Sequence, residues 1–541
     1  MKNGKINWKF LSLTILSTLV FITLAGCGSS DDETSKSSTE TEYKDTLNIG
    51  VTNAPSGFNP INSADYVAQW INRMMYPTLL DQTEALEFEP NLAESFESTD
   101  NKVFTIKLKE AKWSDDEPIT ANDVAFTLNT IANPDVETAL GTYIEKIEGV
   151  KSGKYESGSE ISGVKVIDDL TLTITMKTVI DPNYLKETIG FYVPIIPKHI
   201  VEKESLKDLA TSDFATKPTV SGSLYNFVKY ETNGYIQLKA NPNYYKGKPK
   251  IENVYVKILQ GANVVTSLES GEIDMVAGGG IGVVPISELK TVEANDSLVI
   301  DKYPGAGEQF MSVNNTIFDN KEIRQALTYA IDREAIVKNL FYGEATVIPS
   351  TYTEASAYYL DSLEPLEYDP EKAKALIKES GWDTSKEITL TVPTGNKPRE
   401  QSANLIQQNL EAVGLKVKQE TFDFPTTFAK IKAGETELSL VGLNFTSDPD
   451  LSIYWSTYGT QISHIQDTYI DQLWQEGLEK TDEAERKPIY DEIQEYLVDE
   501  AFFVGLYSPD DIEVKSAKLN GGMKSFWWGS LYDMQDWTLE K

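Results

Sequence analysis

Residues 369–417 read DPEKAKALIKESGWDTSKEITLTVPTGNKPREQSANLIQQNLEAVGLKV. Asp369 followed by Pro370 is typical of a helix start, because aspartate caps the first turn and proline needs no hydrogen bond there. Gly381 is typical of a helix end. The alternating residues 388–392 then predict a strand. This half of the stretch therefore predicts one helix followed by one strand.

The second half of the stretch repeats that order. A helix is expected over Arg399–Val413, with Gly414 at its end, and a strand over Leu415–Val417. Alternation of helices with strands predicts an α/β fold, in which helices cover the faces of a sheet. Further strands are predicted at Thr46–Val51, Val103–Leu108, Leu170–Met176 and Ala501–Tyr507. Further helices are predicted at Val124–Ile131 with Asp123 as its cap, after Asp319-Asn320 and around Ile489–Leu497.

The single cysteine of the chain, Cys27, ends an N-terminal segment with its own character. Three lysines precede a largely apolar run from Phe10 to Leu24, and small residues stand directly before the cysteine. This order predicts a secretory signal peptide over residues 1–26. The alternative is an uncleaved membrane anchor. It is disfavoured because the run is shorter than the ~20 apolar residues of a spanning helix and is interrupted by serine and threonine.

Size and composition limit the class of protein. A chain of 541 residues exceeds a single core, which rarely grows past ~250–300 residues, so two or three lobes are expected. Residues 27–45 are polar and predict a disordered tether before the folded body. The formal net charge of −34 argues against nucleic-acid binding, which needs clustered lysine and arginine. One cysteine allows no disulfide within the chain, so stability must come from core burial.

The sequence lacks the usual motifs for catalysis and for metal or nucleotide binding. It has two histidines, His199 and His464, and no Gly-x-Ser-x-Gly elbow, phosphate-binding lysine loop, His-Glu-x-x-His pair or Cys-x-x-Cys pair. The glycine run at residues 278–282 misses the third glycine of a dinucleotide-binding loop and predicts a loop after a strand. A carboxylate pair for glycoside cleavage stays open, since the chain has 83 acidic residues. We therefore expect no enzyme activity, no cofactor and no metal site.

Several segments together resemble one family of receptors. They are PNLAESF (90–96), FTIKL (104–108), KWSDDEPITANDV (112–124), ANPNYY (240–245), SGEID (270–274), VNN (313–315) and RQALTYAIDR (324–333), with LAGC at residues 24–27. In this order they are similar to the family 5 bacterial extracellular solute-binding proteins, the peptide- and nickel-type receptors of ABC importers. Phe96 and Asp116 depart from the tryptophan and glycine usual in that family. Most of these residues are expected to be structural, with Trp113 in a core and Arg324 with Asp332 in polar contacts.

The resemblance implies a fold of the periplasmic-binding-protein type (type II, cluster C), with two lobes, an extra inserted domain and hinge strands that join the lobes. It also implies three domains: domain I at residues 46–80, 200–302 and 506–541, domain II at 81–199, and domain III at 303–505. The ligand is then expected between the lobes. Hinge closure around it would be driven by contacts that the ligand makes only in the closed state.

The resemblance also points to candidate ligand-binding residues. Family members meet the amine of a peptide with an aspartate at a position that here falls on Asn444 or Phe445. Asp448 or Asp450 is the expected substitute, although both also suit a surface turn. The other candidates are Asn53, Ala54 and Phe58 after the first strand, Tyr225, Tyr507 in a late hinge strand, and the aromatic residues Trp455 and Trp527-Trp528, which suit a core as well as a cleft.

The function implied is that of a substrate-binding lipoprotein, held by lipid on Cys27 at the outer face of the cell membrane. It would capture oligopeptides and deliver them to an ABC permease, as a monomer without a nucleic-acid partner. Alternatives within the same fold are receptors for a nickel chelate, an opine, a sugar oligomer or a peptide pheromone. An alternative of another class is a secreted hydrolase.

Overall fold

The computed structural model describes residues 41–541, apart from 64, 445–446 and 523–528. The chain divides into two compact units, Met1–Glu42 and Tyr43–Lys541, and the strands and helices of the molecule that are described belong to the second. Within the described residues, no helix has the length and apolarity that crossing a membrane requires. The predicted signal peptide and Cys27 lie outside these residues and stay predictions.

Short strands and helices alternate along the second unit. The strands are β1 (Tyr43–Lys44), β2 (Thr46–Val51), β3 (Leu80–Glu84), β4 (Glu87–Pro90), β5 (Ala93–Ser98), β6 (Val103–Leu108), β7 (Val150–Lys151), β8 (Lys154–Tyr155), β9 (Val164–Asp168), β10 (Thr171–Thr175), β11 (Tyr225–Glu231), β12 (Tyr235–Ala240), β13 (Asn253–Ile258), β14 (Met275–Val276), β15 (Leu298–Tyr303), β16 (Gly307–Val313), β17 (Ala345–Thr346), β18 (Glu387–Pro393), β19 (Lys416–Phe422), β20 (Leu438–Asn444), β21 (Phe503–Pro509), β22 (Asp511–Ser516), β23 (Leu519–Asn520) and β24 (Thr538–Glu540). The α-helices are α1 (Tyr66–Met75), α2 (Ala121–Ala132), α3 (Pro182–Leu185), α4 (Lys198–Val201), α5 (Asp213–Thr216), α6 (Val264–Glu269), α7 (Leu289–Glu293), α8 (Lys321–Ala330), α9 (Arg333–Leu340), α10 (Pro370–Ser380), α11 (Lys397–Ala412), α12 (Phe424–Lys432), α13 (Thr468–Glu479) and α14 (Glu483–Glu500).

Seven strands form the sheet of what we call lobe A, in the order β11-β12-β13-β2-β14-β22-β15. The central strand β2 runs parallel to both of its neighbours, β13 and β14. Its alternate residues Leu47, Ile49 and Val51 are fully buried, as the two-residue period of a strand requires when one face meets a core.

Six strands form the sheet of lobe B (residues 304–509), in the order β17-β21-β16-β20-β18-β19. Neighbouring residues of β16 enter different cores, because successive side chains of a strand point to opposite faces. Phe310 packs against Trp455 on one face, whereas Met311 packs with Leu327 and its neighbours on the other. The parallel strands β18 and β19 are joined through α11, which packs on both of them.

An insert (residues 81–199, the predicted domain II) separates α1 from the remaining strands of lobe A. Its main sheet is antiparallel, in the order β5-β6-β10-β9, and α2 packs against β9 and β10. One hydrophobic core continues from Leu47 of lobe A to Ile106 and Leu128 of the insert. Lobe A and the insert therefore share a core, whereas lobe B has cores of its own. The residue limits predicted for the three domains stay predictions.

The chain passes between the sheets of lobes A and B twice, from β15 to β16 and from β21 to β22. These crossing segments lie side by side, since the Ser508 hydroxyl donates to the carbonyl oxygens of Gly305 at 3.0 Å and of Gly307 at 2.7 Å. A Cβ on Gly305 would clash with the carbonyl oxygen of Pro509. Two short, closely packed crossings form the kind of connection about which lobes rotate.

Several local predictions are confirmed. The helix after Asp369 is α10, which ends where Gly381 adopts a left-handed conformation with φ of 69°. The predicted strand at Thr46–Val51 is β2 without any shift of its ends. Trp113 is fully buried, as expected. These elements carry strong local signals in caps, glycines and alternation, so the sequence locates them within a few residues.

Three local predictions are wrong. The predicted tether runs to residue 45, but Tyr43–Lys44 already pairs with Leu539 and Glu540 in a small sheet. Asp123 is not a helix cap: the cap is Thr120, and the Asp123 carboxylate accepts from its backbone N–H at 2.8 Å in a capping box. Arg324 pairs with Glu500 at 3.0 Å rather than with Asp332, whose side chain caps α9.

Candidate functional site

A cavity of about 540 Å³ opens where the two crossing segments meet lobes A and B. Its walls comprise the loop after β14, the ends of β15 and β20, the start of β16, the start of α11 and the second crossing. The lining residues are Tyr66, Gly279, Gly280, Gly282, Val283, Val284, Ile286, Pro304, Ala306, Gly307, Gln309, Phe341, Gly395, Asn396, Lys397, Pro398, Asn444, Pro509, Asp510, Asp511 and Ile512. The volume falls in the range of ~300–1,000 Å³ typical of small-molecule sites.

The lobe A wall is a loop of glycines. Gly278, Gly279 and Gly280 have φ of 66°, 52° and 77°, a run of left-handed conformations that side-chain-bearing residues rarely adopt. The backbone N–H and C=O of Thr52 and Ile281 fix the loop, since Thr52 N donates to the Ile281 carbonyl at 2.7 Å. At the lining glycines Gly279, Gly280 and Gly282 no side chain covers the backbone, so peptide groups there face a ligand. The loop was predicted from the sequence, but its place in the site was not.

The lobe B wall combines amide groups with positive charge. Arg399 is buried, and its Nε donates to Gln309 Oε1 at 2.8 Å, which fixes the orientation of an amide that lines the cavity. The helix α11 begins at the cavity, with Asn396 as its cap and Lys397 exposed beside it. The positive end of the helix dipole and Lys397 bring positive charge to this wall, where the Glu400 carboxylate also accepts from Gly395 N at 2.8 Å.

The second crossing, from β21 to β22, supplies negative charge to the same cavity through Asp510 and Asp511. Burial, reinforced by the nearby Glu344, raises the pKa of Asp510 to about 6. Burial, with the charge of Asp510, raises the pKa of Asp511 to about 7. Neither carboxylate takes part in an ion pair among the described residues. A cationic group bound here would lower both pKa values by favouring the charged forms.

One hydrogen bond spans the cavity between the lobes. Asn444, the last residue of β20, donates from Nδ2 to the hydroxyl oxygen of Tyr66 at 2.9 Å, and Tyr66 begins α1 in lobe A. Gly307 faces the Asn444 carboxamide so closely that a Cβ there would clash with Oδ1. Asn444 therefore links lobe B to lobe A at the cavity mouth.

Comparison with known proteins identifies the family. The model of the bacterial extracellular solute-binding proteins, family 5 (middle region), matches residues 87–464. The chain belongs to this family. It is 26% identical to the oligopeptide-binding protein AppA of Bacillus subtilis (strain 168) over 567 aligned residues, which cover all of both chains. It is 24% identical to the heme-binding protein A of Haemophilus influenzae, over 95% of this chain and 97% of that protein.

Solved structures agree with the assignment of the fold. The substrate-binding protein CtaP of Listeria monocytogenes matches with a TM-score of 0.78 at 28% identity, over 92% of this chain and all of that one. AppA of Bacillus subtilis in complex with a nonapeptide matches with a TM-score of 0.75 at 24% identity, over 93% and 100%. The predicted binding-protein fold is thereby confirmed. The relatives named here are binding proteins, not enzymes.

Most of the aromatic residues predicted for the site of this family member lie in cores instead. Phe58 packs against Phe227 at 4.8 Å, Tyr225 donates its hydroxyl to the Ile251 carbonyl, and Trp455 stacks on Phe503 at 4.0 Å. Each is at most 1% exposed. Large aromatic side chains bury the most apolar area, and here that preference prevails over a place in the cleft.

Three further candidates lie elsewhere in the molecule. Tyr507 is buried behind the cavity, where its ring packs on Phe341 at 4.6 Å and its hydroxyl meets Ser402. Asn53 and Ala54 are exposed in the loop after β2. Of the described candidates, only Asn444 lines the 540 Å³ cavity. Phe445 and Trp527-Trp528 lie outside the described residues.

Asp448 and Asp450, the predicted substitutes for the amine-binding aspartate, face the insert. Asp448 is buried rather than in a surface turn, and its carboxylate lies 3.4 Å from Arg486. Asp450 lies 3.6 Å from Lys146 of the insert. Both carboxylates therefore already have cationic partners. No local pattern distinguishes Asp510 and Asp511, which are two adjacent acids among 83.

Proposed function

We propose that this family member is the substrate-binding protein of an ABC importer and captures oligopeptides in the cavity between lobes A and B. Family membership and relatives named for oligopeptide binding support this ligand class. Among alternatives, a peptide best matches a cavity with open peptide groups on one wall, because main-chain hydrogen bonds can bind an extended backbone whatever its side chains. The observation that carries the proposal is the charge on the other two walls. Asp510 and Asp511 make one wall negative, and Lys397 at the start of α11 brings positive charge to the other.

A short peptide has an ammonium at one end and a carboxylate at the other. We infer that the ammonium binds at Asp510 and Asp511, which form no ion pair among the described residues, although Lys302 lies near Asp510. The carboxylate binds at the start of α11 beside Lys397, where helix dipole and ammonium both favour an anion. This replaces the predicted role of Asp448, whose charge Arg486 already neutralises.

The remaining parts of the proposal concern the place of the protein in the cell. A lipid on Cys27 would hold the receptor at the outer face of the cell membrane, and the chain would act there as a monomer that passes its ligand to the permease. The signal-peptide pattern before Cys27 and the extracellular character of the family support this arrangement.

Calorimetry tests the ligand class directly. The protein is unfolded in denaturant to release carried ligand, refolded, and titrated with a peptide mixture, a nickel–histidine complex, an opine and an oligosaccharide. Saturable binding of peptides alone supports the proposal. Binding of one of the other compounds without peptide binding would replace it, and turnover of any of them would point to a hydrolase.

A further inference from the structure

A buried polar cluster joins the insert to lobe B at a distance from the cavity. Arg486 of α14 is 2% exposed and donates through one nitrogen to Asp181 of the insert and to Asp448 of lobe B, at 3.4 Å for the latter. Its other terminal nitrogen donates to the Tyr490 hydroxyl at 3.2 Å. One guanidinium therefore binds a carboxylate from each side of the interface.

A second carboxylate of the insert binds the backbone of lobe B. Glu187 is fully buried, in the π-helical turn Lys186–Phe191, and its two oxygens accept from Ser447 N at 2.6 Å and Asp448 N at 2.8 Å. Two parallel N–H bonds to one ionisable group are geometrically specific. Gln82 adds a bond to the Ser447 hydroxyl at 2.9 Å. The segment 447–450 is thus bound at several points by residues from outside lobe B.

None of these residues lines the cavity, so a ligand there is not needed for their contacts. The segment that they hold follows β20, whose last residue Asn444 does line it. When the insert and lobe B separate, Asp448 keeps Arg486, because both belong to lobe B. Asp181 and Glu187 of the insert lose their hydrogen bonds to lobe B, and water replaces these partners. The carboxylates of the insert are therefore the groups whose hydrogen bonds to lobe B exist only in the closed arrangement.

We propose that Asp181 and Glu187 are positioning residues of a latch, which stabilises the closed arrangement before ligand binds and thereby sets the ligand affinity. The latch comprises Asp181 and Glu187 on the insert, and Ser447, Asp448 and Arg486 on lobe B. A ligand that binds the closed form has an apparent affinity proportional to the fraction of closed protein. Residues that never touch the ligand thus control its binding. The ligand class rests on the proposed function, but the latch itself does not.

The test uses Asp181→Asn, because removal of Arg486 would leave two buried carboxylates unpaired and could prevent folding. Asp181 caps α3 by accepting the N–H of Asn183. Asparagine has the same shape and still accepts this N–H, so the cap is kept. The matched control is Glu202→Gln, which neutralises an exposed acid at the end of α4 that pairs with Lys198. Thermal melts of each protein establish folding.

Small-angle X-ray scattering of the ligand-stripped proteins gives the first result. The wild type and Glu202→Gln should have the same radius of gyration, Asp181→Asn a larger one, and saturating peptide should return Asp181→Asn to the wild-type value. Peptide affinity of Asp181→Asn should fall about tenfold, as a tenfold smaller closed fraction requires. Equal scattering of the ligand-free wild type and Asp181→Asn overturns the latch. Failure of the wild type to bind peptides contradicts the proposed function instead, since the ligand-free scattering still decides the latch.

Discussion

Neutralising Asp511 should distinguish peptides with a free amine from those without one. Asp511 lines the cavity, is mostly buried and has no cationic partner among the described residues. A hydrogen bond to a charged group contributes about 1.5–3 kcal/mol net. Because tenfold in affinity is about 1.4 kcal/mol, Asp511→Asn should weaken a free peptide roughly 10–100-fold. The exposed Asp296→Asn is the control and should bind as the wild type does.

The assay is calorimetry at pH 8, where both carboxylates of the cavity are ionised in the free protein. An N-acetylated version of the same peptide lacks the ammonium and should bind the wild type weakly. Its affinity should fall little further in Asp511→Asn. The two changes then act on one contact, and a double-mutant cycle should give a coupling of at least about 1.4 kcal/mol. Equal losses for the free and acetylated peptides would show that the amine binds elsewhere, and the charge assignment of the cavity would be refuted.

Three further predictions concern the hinge, the insert and the N-terminus. Gly305→Ala should lower the unfolding free energy by about 1–3 kcal/mol in denaturant titrations, because its Cβ would clash with the Pro509 carbonyl, whereas Gly261→Ala, which points into open space, should not. Burial raises the pKa of Glu187 to about 7 from 4.5, so closure takes up a proton. Ligand-free protein should therefore become more compact in scattering as the pH falls from 8 to 6, and Glu187→Gln should lose most of this dependence; an opposite trend would contradict the assignment. The titratable and charged groups near Glu187 are Asp448, Tyr143, Tyr184, Tyr192 and, beside Asp448, Arg486. Burial also raises the pKa of Asp448, which adds to the trend, and the pKa values of the three tyrosines lie above their usual range and outside this interval. Cys27→Ser should move the protein from the detergent phase to the aqueous phase in a phase-separation assay, and unchanged partitioning would argue against a lipid on that residue.

The fold could be predicted from the sequence because the signals for its helices and strands are local. The cap, proline and glycine around α10 and the alternation in β2 act over a few residues, where backbone preference and burial agree. The ends of elements were less accurate: β19 continues to Phe422, whereas the strand was predicted to stop at Val417. Four of the five extra residues, 418–421, are polar and carry little local strand signal, and pairing with β18 makes the segment a strand.

Most residues of the candidate site could not be predicted from the sequence, for a physical reason. Asp448 was chosen for its neighbours in sequence, yet its environment is set by Arg486 and Glu187, which lie 38 and 261 residues away in the chain. Phe58 was chosen for its place after the first strand and Trp455 because aromatic residues favour ligand pockets, but the apolar area of both side chains favours a core. Asn444 was found because the family resemblance placed the amine-binding position on Asn444 or Phe445. Local pattern can locate a strand, but not the charges that tertiary packing brings to it.

Native mass spectrometry of the protein as purified, before any ligand is removed, identifies what the cavity between the lobes binds in the cell. A receptor for oligopeptides of varied sequence should carry a ladder of peptide masses that disappears after unfolding and refolding and returns when a peptide mixture is added. A single discrete peptide would indicate a dedicated signal receptor. A bound non-peptide mass would show that the protein is not an oligopeptide receptor.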